Sequence, residues 1–153
     1  QLTTLIGVNF YQNNMQVLEQ VNKIMESLQE GKWADHDITL LIAAQGKLAV
    51  LLGNVNAMVA DARKEMDIRD LNAKQVESEA FEKHKLQKET DAMARHKSRI
   101  EVKELLFAAI EAKHAYGSIS GVLEAMRTMI IACQVTIKNI QKEREATPFI
   151  ENV

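Results

Sequence analysis

One pair of residues in the sequence has the spacing of a metal-binding motif, in the tetrapeptide Glu111-Ala-Lys-His114. Glu-x-x-His pairs supply ligands in di-iron helical bundles, because a carboxylate and an imidazole three residues apart lie on one helix face. That chemistry needs a second such pair and two further inward-facing carboxylates, whereas this sequence contains the pattern once. We therefore expect no metal site and no cofactor.

Nucleophilic and nucleotide-dependent chemistry have no recognisable motif in this sequence. Cys133 lies among apolar residues with no His or acidic residue close in sequence. That setting is typical of a buried structural thiol rather than a nucleophile. No Ser-His-Asp set is visible, and no Gly-rich phosphate loop follows a predicted strand. We expect a protein that is not an enzyme.

Basic residues are concentrated between positions 83 and 99, where they outnumber acidic residues by four. They are Lys83, Lys85, Lys88, Arg95, Lys97 and Arg99, against Glu89 and Asp91. Such a stretch can bind the phosphates of DNA. We therefore predict that DNA is bound by Lys85, Lys88, Arg95, Lys97 and Arg99. The alternative is a solvated helix face whose basic residues pair with acids elsewhere, and the only nearby aromatic residue for stacking on bases is Phe81.

The element that must position these residues is a long amphipathic helix that follows them. Its apolar residues recur at alternating steps of three and four, which predicts one helix whose apolar stripe needs partner helices. This stripe is Val102, Leu105, Ala109, Ala112, Tyr116, Ile119, Leu123, Met126, Ile130, Cys133, Ile137 and Ile140. Because a helix from about 95 to 145 is longer than a compact bundle requires, we predict that it also contacts other subunits. The predicted subunit contacts are Tyr116, Ile119, Leu123, Met126, Ile130 and Ile137.

Two further helices are predicted upstream, over about 9–30 and 37–88, with a flexible arm at 1–8 and a tail at 148–153. Gly31 and Pro148 supply the stop signals. The apolar frames of the second and last helices differ by one residue, so we place a break between His84 and Ser98. Thr90-Asp91 and Ser98 are the two candidate starts of the last helix. Residues 9–147 are expected to form a single helical domain.

The composition agrees with this all-helical interpretation. The 153 residues include one Pro, six Gly and one Cys, and the formal charge is −2. This balance argues against a uniformly basic surface but leaves room for a local basic patch. A single Cys fits a reducing compartment, and the uninterrupted apolar runs are too short to span a membrane. We expect a soluble protein of the cytoplasm.

The layout resembles that of phage recombination mediators, over roughly residues 38 to 142. An Ala/Leu-rich helix (residues 43–52) is followed by a charged middle. His96-Lys97-Ser98-Arg99-Ile100-Glu101-Val102-Lys103 then leads into the long terminal helix with Met126-Arg127-Thr128-Met129-Ile130. The resemblance implies a helical, ring-forming protein that binds single-stranded DNA and helps to load a recombinase. Those mediators carry basic residues in a DNA-binding segment, whereas here the early second helix has only Lys47.

The sequence thus predicts an all-α fold, in which long helices form an antiparallel helical hairpin or a three-helix coiled-coil bundle that assembles as a homo-oligomer. The predicted function is that of a phage recombination or replication accessory protein, in the host cytoplasm, that binds single-stranded DNA and a recombinase or other replication protein. The alternative is a protein–protein interaction module, such as a scaffold or an inhibitor of a host protein, that binds no nucleic acid.

Overall fold

The computed structural model describes the backbone of residues 2–30 and 38–146, and the side chains of residues 14–29 and 38–146. These residues form four helices and no strand, so the predicted all-α class is confirmed. The helices are α1 (Leu2–Glu30), α2 (Ile38–Leu86), α3 (Asp91–Glu101) and α4 (Lys103–Ala146).

The helix boundaries depart from the predicted ones at two places. The arm predicted at 1–8 is helical from Leu2 onward. The β-branched residues there each weaken a helix by less than about 1 kcal/mol, which is too little to prevent one from forming. The predicted last helix is two helices, α3 and α4, with Val102 between them. Gly31 and Pro148, which supplied the predicted stop signals, lie outside the described residues.

The chain divides into two compact units. Unit 1 comprises residues 1–57 and 121–153, and unit 2 comprises residues 58–120. Both α2 and α4 contribute residues to each unit.

The core of unit 1 comes from three helices. It contains Val21 and Leu28 of α1, Leu41, Leu48, Leu51 and Val55 of α2, and Leu123, Met126, Cys133 and Ile137 of α4. Several of these residues recur every seven positions. This spacing returns a side chain to the same helix face, so one face of each helix is buried. The twelve-residue stripe predicted from Val102 to Ile140 behaves as expected, since none of its members is exposed.

Unit 2 has a core of small side chains. Its fully or nearly fully buried residues are Met58, Ala73, Ala80, Ala94, Ser98, Val102 and Ala112. Ser98 satisfies its buried hydroxyl by donating a hydrogen bond to the carbonyl of Arg95, at 3.0 Å. Small residues at buried positions let helix backbones approach closely, so unit 2 needs few large apolar residues.

Overpacking of this small-residue core gives a direct test. Ala94 is fully buried, whereas Ala92 on the same helix is exposed. We expect Ala94→Leu to lower the free energy of unfolding by about 1–3 kcal/mol, because the added carbons must displace close neighbours. Ala92→Leu is the matched control and should change stability by less than about 0.5 kcal/mol in urea unfolding. Equal effects of the two substitutions would contradict close packing at Ala94.

A four-residue connection joins α2 to α3. Lys88 adopts the left-handed backbone conformation, with φ 61°, at a cost of about 1–2 kcal/mol for a residue with a side chain. The hydroxyl of Thr90 then accepts a hydrogen bond from the amide of Met93 and caps α3. At Val102 the hydrogen bonds Val102 N to Ser98 O and Leu106 N to Val102 O keep the four-residue helical spacing. The register of α3 therefore continues into α4.

The glycines of α2 do not lie at close approaches between helices. A Cβ atom added at Gly46 or Gly53 would meet no atom within 4 Å. Their faces of α2 are open.

Candidate nucleic-acid interface

The end of α2, the connection and α3 bring the predicted DNA-binding residues into one part of unit 2, but three of them bind carboxylates. Lys85 Nζ lies 2.5 Å from Asp91 Oδ1, and Lys97 Nζ lies 2.5 Å from Glu89 Oε1. Arg99 Nε lies 3.2 Å from Glu77 Oε1. The hydrogen bond from Lys85 holds the pKa of Asp91 below its ordinary value. These three cations are therefore already paired with carboxylates in the folded chain.

The acidic residues just outside this stretch lower its local charge. Adding the two partners Glu77 and Glu101 reduces the net charge from the +4 of residues 83–99 to +2, and Glu79 and Glu82 bring residues 77–101 as a whole to zero. Glu77 and Glu101 lie just outside the basic stretch in sequence, yet both bind basic residues within it. The basic patch that the sequence suggested is therefore largely neutralised.

Two of the predicted residues, Lys88 and Arg95, form no direct ion pair with a carboxylate among the described residues, although the charge of Arg95 adds to that of Lys85 in lowering the pKa of Asp91. The guanidinium carbon of Arg95 lies 5.9 Å from the ring centre of Phe81. A cation over an aromatic face is attracted by the electron-rich ring. Arg95 therefore keeps its charge available beside an aromatic ring.

A second cation–aromatic pair lies at the start of α4 and was not predicted. Lys103 Nζ lies 5.6 Å from the ring centre of Phe107, and this ring is half exposed. The i,i+4 spacing of a lysine and an aromatic residue on one helix was the signal that could have identified the pair.

Three of the six predicted subunit contacts are buried within the chain, and three are partly exposed. Leu123, Met126 and Ile137 belong to the core of unit 1, and the structure leaves Tyr116, Ile119 and Ile130 half-buried. The apolar residues of α4 that remain exposed in unit 1 are Ile131 and Val135. Cys133 is buried beside them, and burial raises the pKa of its thiol, which disfavours the nucleophilic thiolate.

The Glu111 and His114 pair lies on exposed positions of α4. Within residues 14–29 and 38–146, no group of three or more His, Cys, Asp or Glu side chains is placed to hold a metal ion. His114 instead lines a shallow surface depression with Ile110, Lys113, Gly117 and Ser118, all on one helix.

An apolar groove runs between α1 and α2 in unit 1. It has a volume of about 590 Å³ and is lined by Ile24, Val50 and Leu51, with Lys23 and Lys47 at its charged positions. The same helix α2 contains an 18-residue stretch of mean hydropathy 1.6, long and apolar enough to cross a membrane by length and composition alone. Only uninterrupted runs of apolar residues were considered in the sequence. This stretch was not identified among them, because polar residues are scattered through it.

Comparison with protein-family models, with characterised proteins and with solved structures finds no match to this chain.

Proposed function

We propose that this chain is a non-enzymatic accessory protein of recombination or replication that binds single-stranded DNA through unit 2. The observation that supports this most is the presence of two cation–aromatic pairs, Arg95 with Phe81 and Lys103 with Phe107. Surfaces that bind single strands combine cations, which attract phosphates, with aromatic rings, on which bases stack. A duplex keeps its bases stacked internally, so this combination favours single strands.

The ion-paired residues have a secondary part in this proposal. Exposed ion pairs contribute only about 0–1 kcal/mol each, so a phosphate can replace a carboxylate at Lys85 or Arg99. Lys97 is held more firmly, because the side chain of its partner Glu89 is only 16% exposed. Arg95 and Lys88 need no such exchange and are therefore the principal phosphate ligands. Binding should be weak for one chain, because few free cations are present.

We further propose that the long helices pack as antiparallel coiled-coil arms and that the chain forms a homo-oligomer. Ile131 and Val135 lie four residues apart on one face of α4, and each is more than half exposed. Burying such a pair against another subunit would remove apolar surface from water. An oligomer presents several weak DNA contacts together, which raises the overall affinity. The resemblance in layout to phage recombination mediators supports a cytoplasmic role in loading a recombinase.

The experiment that tests DNA binding is fluorescence anisotropy of a labelled single-stranded oligonucleotide, at low and at physiological salt. The duplex of the same sequence is the control. We expect a preference for the single strand and weaker binding at the higher salt, because bound phosphates release counterions. Absence of binding at low salt would overturn the proposal.

Self-association has its own test. We expect the double variant Ile131→Glu, Val135→Glu to dissociate the oligomer, because two unpaired charges would be buried at the subunit contact. Gln134→Glu with Asn139→Glu is the matched control, since it adds the same charge at exposed polar positions of α4. Multi-angle light scattering gives the mass of each. A double variant that keeps the wild-type mass would rule out this face as the subunit contact.

A second candidate function is that of a protein-interaction module. The observation that favours it is the neutral charge balance of residues 77–101 together with the exposed apolar residues Leu86, Met93 and Ile100 of the same unit. A surface of that kind suits a protein partner better than a polyanion. Complex formation that is insensitive to salt and to nuclease treatment, combined with no oligonucleotide binding, would favour this function over DNA binding.

A further inference from the structure

A histidine at the end of α2 lies at the centre of an alternating row of charged groups in unit 2. His84 Nε2 lies 3.2 Å from Glu101 Oε2, and His84 Nδ1 lies 3.7 Å from Glu89 Oε2. The second oxygen of each carboxylate binds a lysine: Glu101 Oε1 binds Lys83 at 3.1 Å, and Glu89 Oε1 binds Lys97 at 2.5 Å. The row thus reads Lys83, Glu101, His84, Glu89, Lys97.

Both ring nitrogens of His84 therefore face a carboxylate oxygen. A neutral imidazole carries one N–H and one lone pair, so it can donate a hydrogen to only one of the two carboxylates. The other nitrogen then presents its lone pair to an oxygen that can only accept. In the structure His84 Nδ1 and Glu89 Oε2 are both buried atoms without a hydrogen-bond partner. An imidazolium would carry a hydrogen on each nitrogen and would serve both carboxylates.

His84 and Glu89 are buried enough that the difference between neutral and protonated imidazole affects the stability of this region. The side chains of His84 and Glu89 are only 13% and 16% exposed. Solvent screens charges less at such positions than at an open surface. Burying an acceptor oxygen against a lone pair is unfavourable, because neither group recovers the hydrogen bond that water would give it.

We infer that His84 is a proton-operated clasp, which in its protonated form links Glu89 of the connection and Glu101 of α3 to α2. Loss of the proton releases the link to Glu89 and loosens residues 87–90. The clasp is a property of the fold of unit 2 and does not depend on DNA binding.

Other charged groups lie near His84 and contact the same two carboxylates or the connection. Lys83 and Lys97 oppose protonation of His84 through their positive charge, but each contacts the carboxylate oxygen that faces away from the imidazole. Lys85 also reaches the connection, donating a hydrogen bond to the carbonyl of Glu89 at 3.3 Å. Hydrogen bonds from Lys83 and then from His84 lower the pKa of Glu101, which favours the ionised form of this carboxyl group.

The direction of the pH effect follows from these contacts. Protonation adds a favourable contact to the folded connection, so the stability of this region is highest while His84 is protonated and falls as the pH rises and the proton is lost. Histidine is the side chain that ordinarily changes charge between about pH 5 and pH 8.

The test is amide hydrogen exchange of the intact protein at about pH 5.5 and about pH 8, with each rate divided by the intrinsic rate at that pH. We expect the protection of residues 84–90 to fall by about tenfold between the two, the change expected when one hydrogen bond to a charged group is lost. His84→Gln, which cannot be protonated, should abolish the difference. Glu89→Gln leaves His84 in place and should abolish most of it.

His96→Gln is the matched control, because His96 lies on an exposed position of α3 with no carboxylate partner among the described residues. It should retain the full difference. The same pH dependence in wild type and in both His84→Gln and Glu89→Gln, or its loss in His96→Gln, would overturn the clasp. Circular dichroism confirms that each variant is helical before exchange is compared.

Discussion

Replacement of Leu48 by alanine is expected to lower the free energy of unfolding by about 2–5 kcal/mol, the usual range for a fully buried leucine. Leu48 is 0% exposed and lies between Leu41 and Val55 in the core of unit 1. Alanine keeps the helix, since it has the highest helix propensity, so the loss comes from the removed carbons and the cavity they leave. Urea unfolding followed by circular dichroism measures the change.

Val50 supplies the matched control two residues away on the same helix. It is 73% exposed, so Val50→Ala removes little buried surface and replaces a β-branched residue with a better helix former. We expect it to be neutral or to stabilise by about 0.5 kcal/mol. If Val50→Ala were as costly as Leu48→Ala, Val50 would be buried in solution by a partner.

The periodicity of the sequence was enough to predict the helices and much of the core. Leu41, Leu48 and Val55 recur every seven residues, and the stripe from Val102 to Ile140 is covered throughout. Periodic apolar residues are a strong signal because each must be removed from water by the same helix face.

The core of unit 2 could not be read in that way. Its buried positions include Ala73, Ala80, Ala94 and Ser98, which are equally common on exposed helix faces. The sequence therefore suggested a solvated segment with few apolar contacts. Small residues reveal burial only through the close approach of another helix, which sequence spacing alone does not show.

The ion pairs of the candidate site could not all be assigned from the sequence, because some partners are remote along the chain. The ion pairs of Glu65 with Arg69 and of Asp70 with Lys74 join residues four positions apart on one helix, a spacing that is visible in the sequence. The pair of Arg99 with Glu77 spans 22 residues. A count of charges along the sequence can include ion-pair partners that lie within one helix. It omits partners on different helices that a turn brings together.

That distinction leads to a sharp test of the DNA interface. Arg95→Glu is expected to weaken binding of single-stranded DNA by about 10- to 100-fold, because it removes a free guanidinium that can form a charge-assisted hydrogen bond to phosphate. Arg99→Glu changes the net charge by the same amount on the same helix. Because Arg99 is already bound to Glu77, we expect about a fivefold loss or less.

Comparing the two variants separates local contact from long-range attraction. Anisotropy titrations of both variants and the wild type over a range of salt give the affinities and the salt slopes. A direct phosphate contact at Arg95 should reduce the slope by about one, and the slope should change less for Arg99→Glu. Equal losses in the two variants would mean that net charge alone governs binding, and the pair of Arg95 with Phe81 would then have no specific part in it. A variant pair that binds as well as wild type would leave unit 2 without a DNA-binding role, and its exposed apolar residues would become the surface to test against protein partners.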